Sequence, residues 1–234
     1  MARLPKPLGV VPLGDLAAYV EFSRTLDLEV NSVAQRLAAA IVARGDPRIR
    51  DVVPALGGVA LHFDPAYEGD VLKAAAELVE VCMKKGLPDA DDLGHDVEVP
   101  VCYDAEFALD LPEVAEKLKL SAEEITRRHA AGEYRVLMVG FAPGHPYIGG
   151  LDPKLAVPRR ATPRALVPAG SVAIANQQTV VYPYVISGGW SIIGRTPLTV
   201  FDAARPRPSL FAAGDRVRFR AVGKREFLSL RERQ

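Results

Sequence analysis

The sequence predicts an α+β protein of two domains, a small sheet backed by two helices followed by a β-barrel or sandwich. Three observations carry that reading. Two long segments in the first 86 residues place apolar side chains at helical spacing between short apolar runs. From Tyr134 onward the texture changes to short Val/Ile-rich runs split by Gly and Pro. Between these regions lies Leu87-Pro88-Asp89-Ala90-Asp91-Asp92-Leu93-Gly94, an acidic linker that sets the domains at 1–90 and 91–234.

The elements follow in order. Residues 8–12 and 17–22 are apolar runs joined across Gly14-Asp15, a hairpin signal. A helix begins near Leu28 behind Asp27, a residue type that caps free backbone N–H groups. It repeats Val33, Leu37 and Ile41 and stops at Gly45-Asp46-Pro47. Strands near 51–55 and 59–63 flank Gly57-Gly58. A second helix over about 70–85 puts Val71, Ala75, Leu78 and Cys82 on one face and ends at Gly86. His95 to Val101 alternates as a strand. Two helices then carry start signals: Asp110 ahead of Leu111-Pro112, and Ser121 with Glu124 three residues on. The remainder gives strand-like runs at 134–140, 155–157, 165–167, 171–175, 179–182, 191–194, 198–201 and 216–222.

Composition narrows the function classes. Hydrophobic residues at 49% and charged residues at 25% are those of an ordinary globular chain, which excludes disordered and fibrous classes. No apolar run approaches the roughly 18 residues of a membrane span. Met1-Ala2-Arg3-Leu4-Pro5-Lys6-Pro7 lacks the apolar stretch of a secretory signal, so a cytoplasmic protein is expected. Two cysteines, Cys82 and Cys102, have no metal-ligand or redox spacing and read as buried small hydrophobes.

Formal charge sums to zero, yet residues 1–133 hold 14 Lys and Arg against 24 Asp and Glu, whereas residues 134–234 hold 15 against 5. That asymmetry points the second stretch toward an anionic ligand or an acidic protein face, in this chain's own front portion or in a partner. Nucleic acid is not expected, because no zinc-finger, homeodomain or RNP signature occurs and aromatic residues are not interleaved with the basic ones.

Four clusters in the second half are candidates for chemistry. Gly140-Phe141-Ala142-Pro143-Gly144-His145-Pro146-Tyr147-Ile148-Gly149-Gly150 mixes prolines that fix φ with glycines that release it, a rigid loop presenting Phe141, His145 and Tyr147. It fits either a ligand wall or a tight connection whose aromatics fill the barrel end. Pro158-Arg159-Arg160-Ala161-Thr162-Pro163-Arg164 holds three guanidiniums in seven residues, the fork geometry that takes carboxylate or phosphate, or else a solvated basic turn. Gly188-Gly189-Trp190 sets the single Trp beside two glycines, with Gly194-Arg195-Thr196-Pro197 following; core filler and cofactor wall both remain open for it. Gln177, Gln178 and Tyr182 flank a short strand as neutral hydrogen-bonding groups.

Absences add to this. No P-loop, G-x-S-x-G or H-E-x-x-H motif occurs, and no two of the four histidines share metal-ligand spacing. A triad of His145, Asp152 and a serine is left without geometric support. No metal is expected, no biotin-carrying Met-Lys-Met tract is present, and chemistry is expected to be shared with another chain.

These clusters, in this order, resemble one family. The runs are Gly140-Phe141-Ala142-Pro143-Gly144, Tyr147 with Gly149-Gly150-Leu151-Asp152-Pro153, the Pro158–Arg164 turn, Pro168-Ala169-Gly170-Ser171-Val172-Ala173-Ile174-Ala175, Gly188-Gly189-Trp190 and Gly194-Arg195-Thr196-Pro197-Leu198. Upstream, Pro12-Leu13-Gly14-Asp15 and Val99-Pro100-Val101-Cys102-Tyr103 fit as well. Together they are similar to the KipI, or allophanate hydrolase subunit 1, family across essentially the whole chain. The resemblance implies an N-terminal ferredoxin-like α/β sandwich and a C-terminal cyclophilin-like β-barrel. It further implies one of three outlets: the B subunit of an ATP-dependent 5-oxoprolinase, half of the carboxyltransferase domain of a biotin-dependent urea carboxylase, or an inhibitor of a sensor histidine kinase. The first implies two partners, a carboxyltransferase-like C subunit together with a LamB/YcsF-type A subunit, and ATP bound with or by them. Substrate would be bound in the barrel cleft by Phe141, His145, Tyr147, Arg159, Arg160, Arg164, Gln178, Trp190 and Arg195. The sequence departs from the family pattern at His145, at Asn176-Gln177 and just before Gly188, which implies a more polar wall.

Overall fold

The structure, a computed structural model, describes residues 4–233; the Met1–Arg3 part of the start, on which the leader expectation partly rests, and Gln234 lie outside the described residues. The chain divides into two compact units, Met1–Gly94 and His95–Gln234, after a 3-10 turn at Ala90–Asp92.

The first unit contains β1 (Gly9–Pro12), β2 (Ala17–Glu21), α1 (Leu28–Arg44), β3 (Ile49–Pro54), β4 (Gly58–Phe63) and α2 (Val71–Lys85). Asp27 caps α1 by accepting from the Glu29 and Val30 amides, and Gly45 ends it at φ 61°, a left-handed conformation that a residue without Cβ adopts freely. Asp70 caps α2 in the same way. The sheet order is β1-β2-β4-β3, antiparallel throughout. This is the ferredoxin-like arrangement with one change: the strand beside β2 is β1, which precedes the βαββα run instead of following α2. Alternation sends Ala18 and Val20 of β2 and Val59, Leu61 and Phe63 of β4 to one face. There they pack with Val33, Leu37 and Ile41 of α1 and Ala75, Val79 and Cys82 of α2.

The second unit contains β5 (Asp96–Val101), α3 (Leu111–Leu118), α4 (Ala122–Ala131), β6 (Tyr134–Val139), β7 (Pro146–Gly149), β8 (Arg164–Val167), β9 (Ser171–Ala175), β10 (Gln178–Val181), β11 (Ile186–Gly188), β12 (Ser191–Arg195), β13 (Arg216–Ala221) and α5 (Lys224–Arg231). Seven strands form one sheet in the order β12-β9-β10-β7-β6-β13-β5, antiparallel except for the parallel β13–β5 pair. The two edge strands meet: the Cys102 amide donates to the Arg195 carbonyl and the Arg195 amide to the Cys102 carbonyl, both at 2.9 Å. That bridge links the ends of β5 and β12 and closes the sheet into a barrel. Inward side chains from all seven strands, including Val101, Val136, Ile148, Ile174, Val181, Ile193 and Phe219, fill the interior together with Leu111, Val114 and Ile125 of α3 and α4. The barrel is a packed core.

Several local expectations fail for identifiable reasons. Residues 155–157 are not a strand: Asp152 caps a 3-10 turn at Pro153–Leu155, a polar start signal that overrides the short apolar run. Residues 198–201 make only a single bridge, Phe201 to Ser209, in a stretch where Pro197, Pro206 and Pro208 supply no N–H. The Gly140–Gly150 segment contains β7, hidden in the sequence by its prolines and glycines. The helix α5 buries only Phe227, too little for an apolar periodicity to betray it. Asp110 precedes α3 as expected but makes no side-chain bond to its amides.

Candidate functional site

Outside the barrel wall, a second apolar cluster forms by the same alternation. On β9, Val172 and Ile174 face inward while Ala173 and Ala175 face outward; Val180 on β10 and Tyr182 just after it face outward, and so do Ile192 on β12 and Tyr147 on β7. Trp190 joins them, and the two-stranded antiparallel β8–β11 sheet packs on the cluster through Val167 and Ile186. Tyr147 and Trp190, two of the residues expected to form a ligand wall, therefore sit on the outer face of β7, β10, β9 and β12, while the barrel interior is packed.

The structure brings His145, Tyr147 and Trp190 together here. His145 is buried, with its ring 5.2 Å from Tyr147, 5.3 Å from Tyr182 and 5.5 Å from Phe141. Tyr147 meets Trp190 edge-on at 6.1 Å. Burial lowers the His145 imidazole to about 4, so it is neutral at physiological pH, and its Nδ1 has no hydrogen-bond partner. Burial raises both phenols, Tyr182 to about 12. The Tyr182 hydroxyl accepts from the Trp190 backbone N–H, and Gly188 lies against it: a Cβ at Gly188 would stand 2.1 Å from Tyr182 Oη. Phe141 is 64% exposed and holds φ 70°, a left-handed conformation costly for a bulky residue. Gln178, opposite Gly149 on β7, shares the outward face and leaves its buried Nε2 unpartnered.

The arginines separate. Asp110, 3% exposed, accepts from Arg164 Nη1 at 2.8 Å and Arg160 Nη1 at 3.0 Å, and from the Ile192 amide at 2.7 Å. Arg160 also donates to Glu113 at 2.8 Å. Arg160 and Arg164 are thus occupied by carboxylates of this chain. Arg195 is half-buried, donates Nε to the Ala169 carbonyl at 2.8 Å and meets no carboxylate among the described residues; burial lowers its pKa. Among the described residues, no ring or hydrogen-bond contact joins it to the aromatic group. Arg159 is exposed and has no acidic partner among the described residues; its Nη2 comes within 3.8 Å of the place a Gly189 Cβ would occupy.

This pairing also corrects the charge picture. Arg216 pairs with Asp96, Arg220 with Glu98 and Lys224 with Glu106, as Arg160 does with Asp110 and Glu113. Much of the acidic surplus before residue 134 thus lies in the same unit as the basic stretch and neutralises it. Residues 95–234 hold 19 Lys and Arg against 15 Asp and Glu. Asn176 and Gln177 form the exposed two-residue turn between β9 and β10 rather than a polar wall. Asp152 bonds Arg128 and the Lys154 amide, so it orients no triad with His145.

Inside the barrel lies a polar group that sequence reasoning missed. His129 is fully buried, 2.7 Å from Tyr103 Oη through Nδ1 and 3.1 Å from Thr179 Oγ1 through Nε2. Thr179 donates its one hydroxyl proton to the Ala173 carbonyl, so Nε2 of His129 carries the hydrogen and Nδ1 accepts from Tyr103. Burial depresses this imidazole to about 3. Its aromatic and polar partners come from separate elements, a convergence no local pattern records. Among the described residues no group of three His, Cys, Asp or Glu is placed to hold a metal ion, and no helix is long and apolar enough to cross a membrane. The Gly140–Gly144 loop leads into β7 and not into a helix N-terminus, so it does not have the form of a phosphate-binding loop.

Comparisons with known proteins give the family. Residues 8–211 match the family described as carboxyltransferase domain, subdomain C and D. The chain is 36% identical over 228 residues to the 5-oxoprolinase B subunit of Bacillus subtilis (strain 168), covering 94% of this chain and 95% of that protein. The crystal structure of TTHA0988 superposes with a TM-score of 0.76 at 37% identity over 89% of this chain, which spans 40% of that longer one. The K. lactis urea amidolyase superposes with a TM-score of 0.74 over 99% of this chain and 16% of its own length; at 18% identity that likeness concerns the fold. The chain is a member of the carboxyltransferase-domain family, subdomain C and D.

Proposed function

We propose that this chain is the B subunit of an ATP-dependent 5-oxoprolinase, which opens the lactam of 5-oxoproline to glutamate, with an active site completed by partner subunits. The observation that carries this reading is the near end-to-end match with the B. subtilis protein of that name. The outer barrel face supports it in chemical terms. Tyr147, partly exposed, offers its ring to a small planar ligand at the rim of this cluster, behind which Trp190 and neutral His145 are buried. Phe141, Leu166 and Val185, on the segments that frame this face, are large, apolar and exposed, as a surface awaiting another chain would be. ATP would make lactam opening thermodynamically favourable. In this reading the nucleotide is bound with or by a partner.

The partners in this reading are a carboxyltransferase-like C subunit together with a LamB/YcsF-type A subunit. Purified chain mixed with the products of its neighbouring genes should release glutamate from 5-oxoproline only with ATP and only when all components are present. ATP-independent release, or full activity without this chain, would overturn the reading. The family description itself favours one alternative, a carboxyltransferase half of a biotin-dependent enzyme; dependence of turnover on bicarbonate and a biotinylated partner would select it.

A further inference from the structure

The sequence groups four arginines as anion ligands, but the structure leaves one of them to serve the aromatic face. Arg160 and Arg164 are held by the buried carboxylate of Asp110, and Arg160 by Glu113 as well. Arg195 is turned to the Ala169 carbonyl. Arg159, next to Arg160 in the chain, is exposed and has no acidic partner among the described residues. The turn that carries it is tied to the Gly-Gly-Trp segment, because the Arg160 amide donates to the Gly189 carbonyl at 2.8 Å. A Cβ at Gly189 would touch the Pro163 ring at 3.6 Å and Arg159 Nη2 at 3.8 Å, which places the guanidinium beside the Gly-Gly-Trp segment. The charge of Arg159 is felt by the phenols of both Tyr147 and Tyr182. The same two rings flank His145, 2% exposed, whose Nδ1 is unpartnered.

We infer that Arg159 is the residue that selects a carboxylate-bearing ring for this face, with the uncharged part of the ligand lying against Tyr147 at the rim of the buried cluster that holds Trp190 and His145. Asp110 is a positioning residue in this arrangement. By fixing Arg160 and Arg164 it keeps two competing guanidiniums out of the site and holds the turn that presents Arg159. The inference rests on the reading of this face as the substrate site, and it deepens that reading by naming the group that distinguishes an acid from its uncharged analogue. A planar guanidinium suits that task, since it donates two parallel hydrogen bonds to one carboxylate.

The test uses the full chain and two probes that differ only in the carboxylate, 5-oxoproline and 2-pyrrolidinone. Binding is followed by ligand-observed NMR and by emission of Trp190, the single tryptophan. The wild type should bind 5-oxoproline at least about tenfold more tightly than 2-pyrrolidinone. Arg159→Ala should erase that preference, Arg159→Lys should restore part of it, and Arg218→Ala, which removes an exposed arginine of β13, should keep it. Because Arg159 is exposed and makes no hydrogen bond among the described residues, its replacement should leave thermal unfolding unchanged. A carboxylate preference that survives Arg159→Ala, or a wild type without one, overturns the inference. Turnover in the reconstituted complex is a separate measurement. Glutamate release with no role for Arg159 sinks this inference alone, whereas an Arg159-dependent preference without ATP-coupled release sinks the lactam-opening assignment alone.

Discussion

Asp110 receives both outer nitrogens of Arg164, Nη1 on Oδ2 at 2.8 Å and Nη2 on Oδ1, from a position 3% exposed at the start of α3. The same carboxylate accepts from Arg160 and from the Ile192 amide, joining the arginine turn, a helix and a barrel strand. Asp110→Ala would strand two guanidiniums and a backbone donor at once. It should cost about 3–5 kcal/mol, the range for breaking a buried ion pair from one side. Urea unfolding at neutral pH measures it; a loss under about 1 kcal/mol, the worth of a surface pair, would contradict this account.

Histidine burial makes stability depend on pH. The folded imidazoles of His129 and His145 titrate near 3 and 4, below the ordinary value of 6.5. Above 6.5 both folded and unfolded states are neutral at these positions and the full stability is present. As pH falls below 6.5 the unfolded chain takes up protons that the folded chain cannot, so stability drops, and it goes on dropping until the folded pKa is reached. Between pH 6 and 5, above the ordinary carboxylate range, each buried histidine should contribute a loss approaching about 1.4 kcal/mol per pH unit. His129→Gln should be less stable at pH 7 yet show a shallower slope. An unchanged slope would show that His129 takes up protons in the folded state.

The contact between Gly188 and Tyr182 sets the shape of the aromatic face. A Cβ at Gly188 would overlap the Tyr182 hydroxyl and ring edge, so Gly188→Ala must displace the ring that accepts from the Trp190 amide. The expected cost is about 1–3 kcal/mol, as for other overpacked sites. Emission from Trp190 should shift to longer wavelength as the indole gains access to water. Native emission and native stability in this variant would refute the contact.

Both cysteines are free and buried, and burial raises the pKa of each thiol. A disulfide-exchange reagent at pH 8 should leave the folded chain unmodified and label two thiols per chain once it is unfolded. Because the Cys102 amide lies in the bridge that closes the barrel, its hydrogen exchange should be slow and should match that of the Arg195 amide across from it. Rapid exchange at both would mean that the barrel is open at this seam.

What the sequence determined by itself are the features whose cause is local. Asp27 and Asp70 mark helix starts because a side chain reaches amides two and three residues away, and Gly45 marks an end because of its own φ. Most strands of the barrel announced themselves by apolar runs between turn residues, and the ordered motifs from Gly140 to Leu198 carried the family. The strands β7 and β11 and the helix α5 stayed hidden, the strands being short and set among prolines and glycines and the helix having one buried residue. Only the tertiary structure decided which side of the wall each side chain faces, since a period of two separates the faces without saying which one is covered. It also decided the division among the arginines. Arg159, Arg160 and Arg164 are equivalent in a sequence, and the carboxylate that distinguishes them, Asp110, is about fifty residues away in the chain and looked like a helix cap. Its partners could be known only once α3 packed beside β12, because an ion pair depends on distance in space and on burial, and neither is written along the chain.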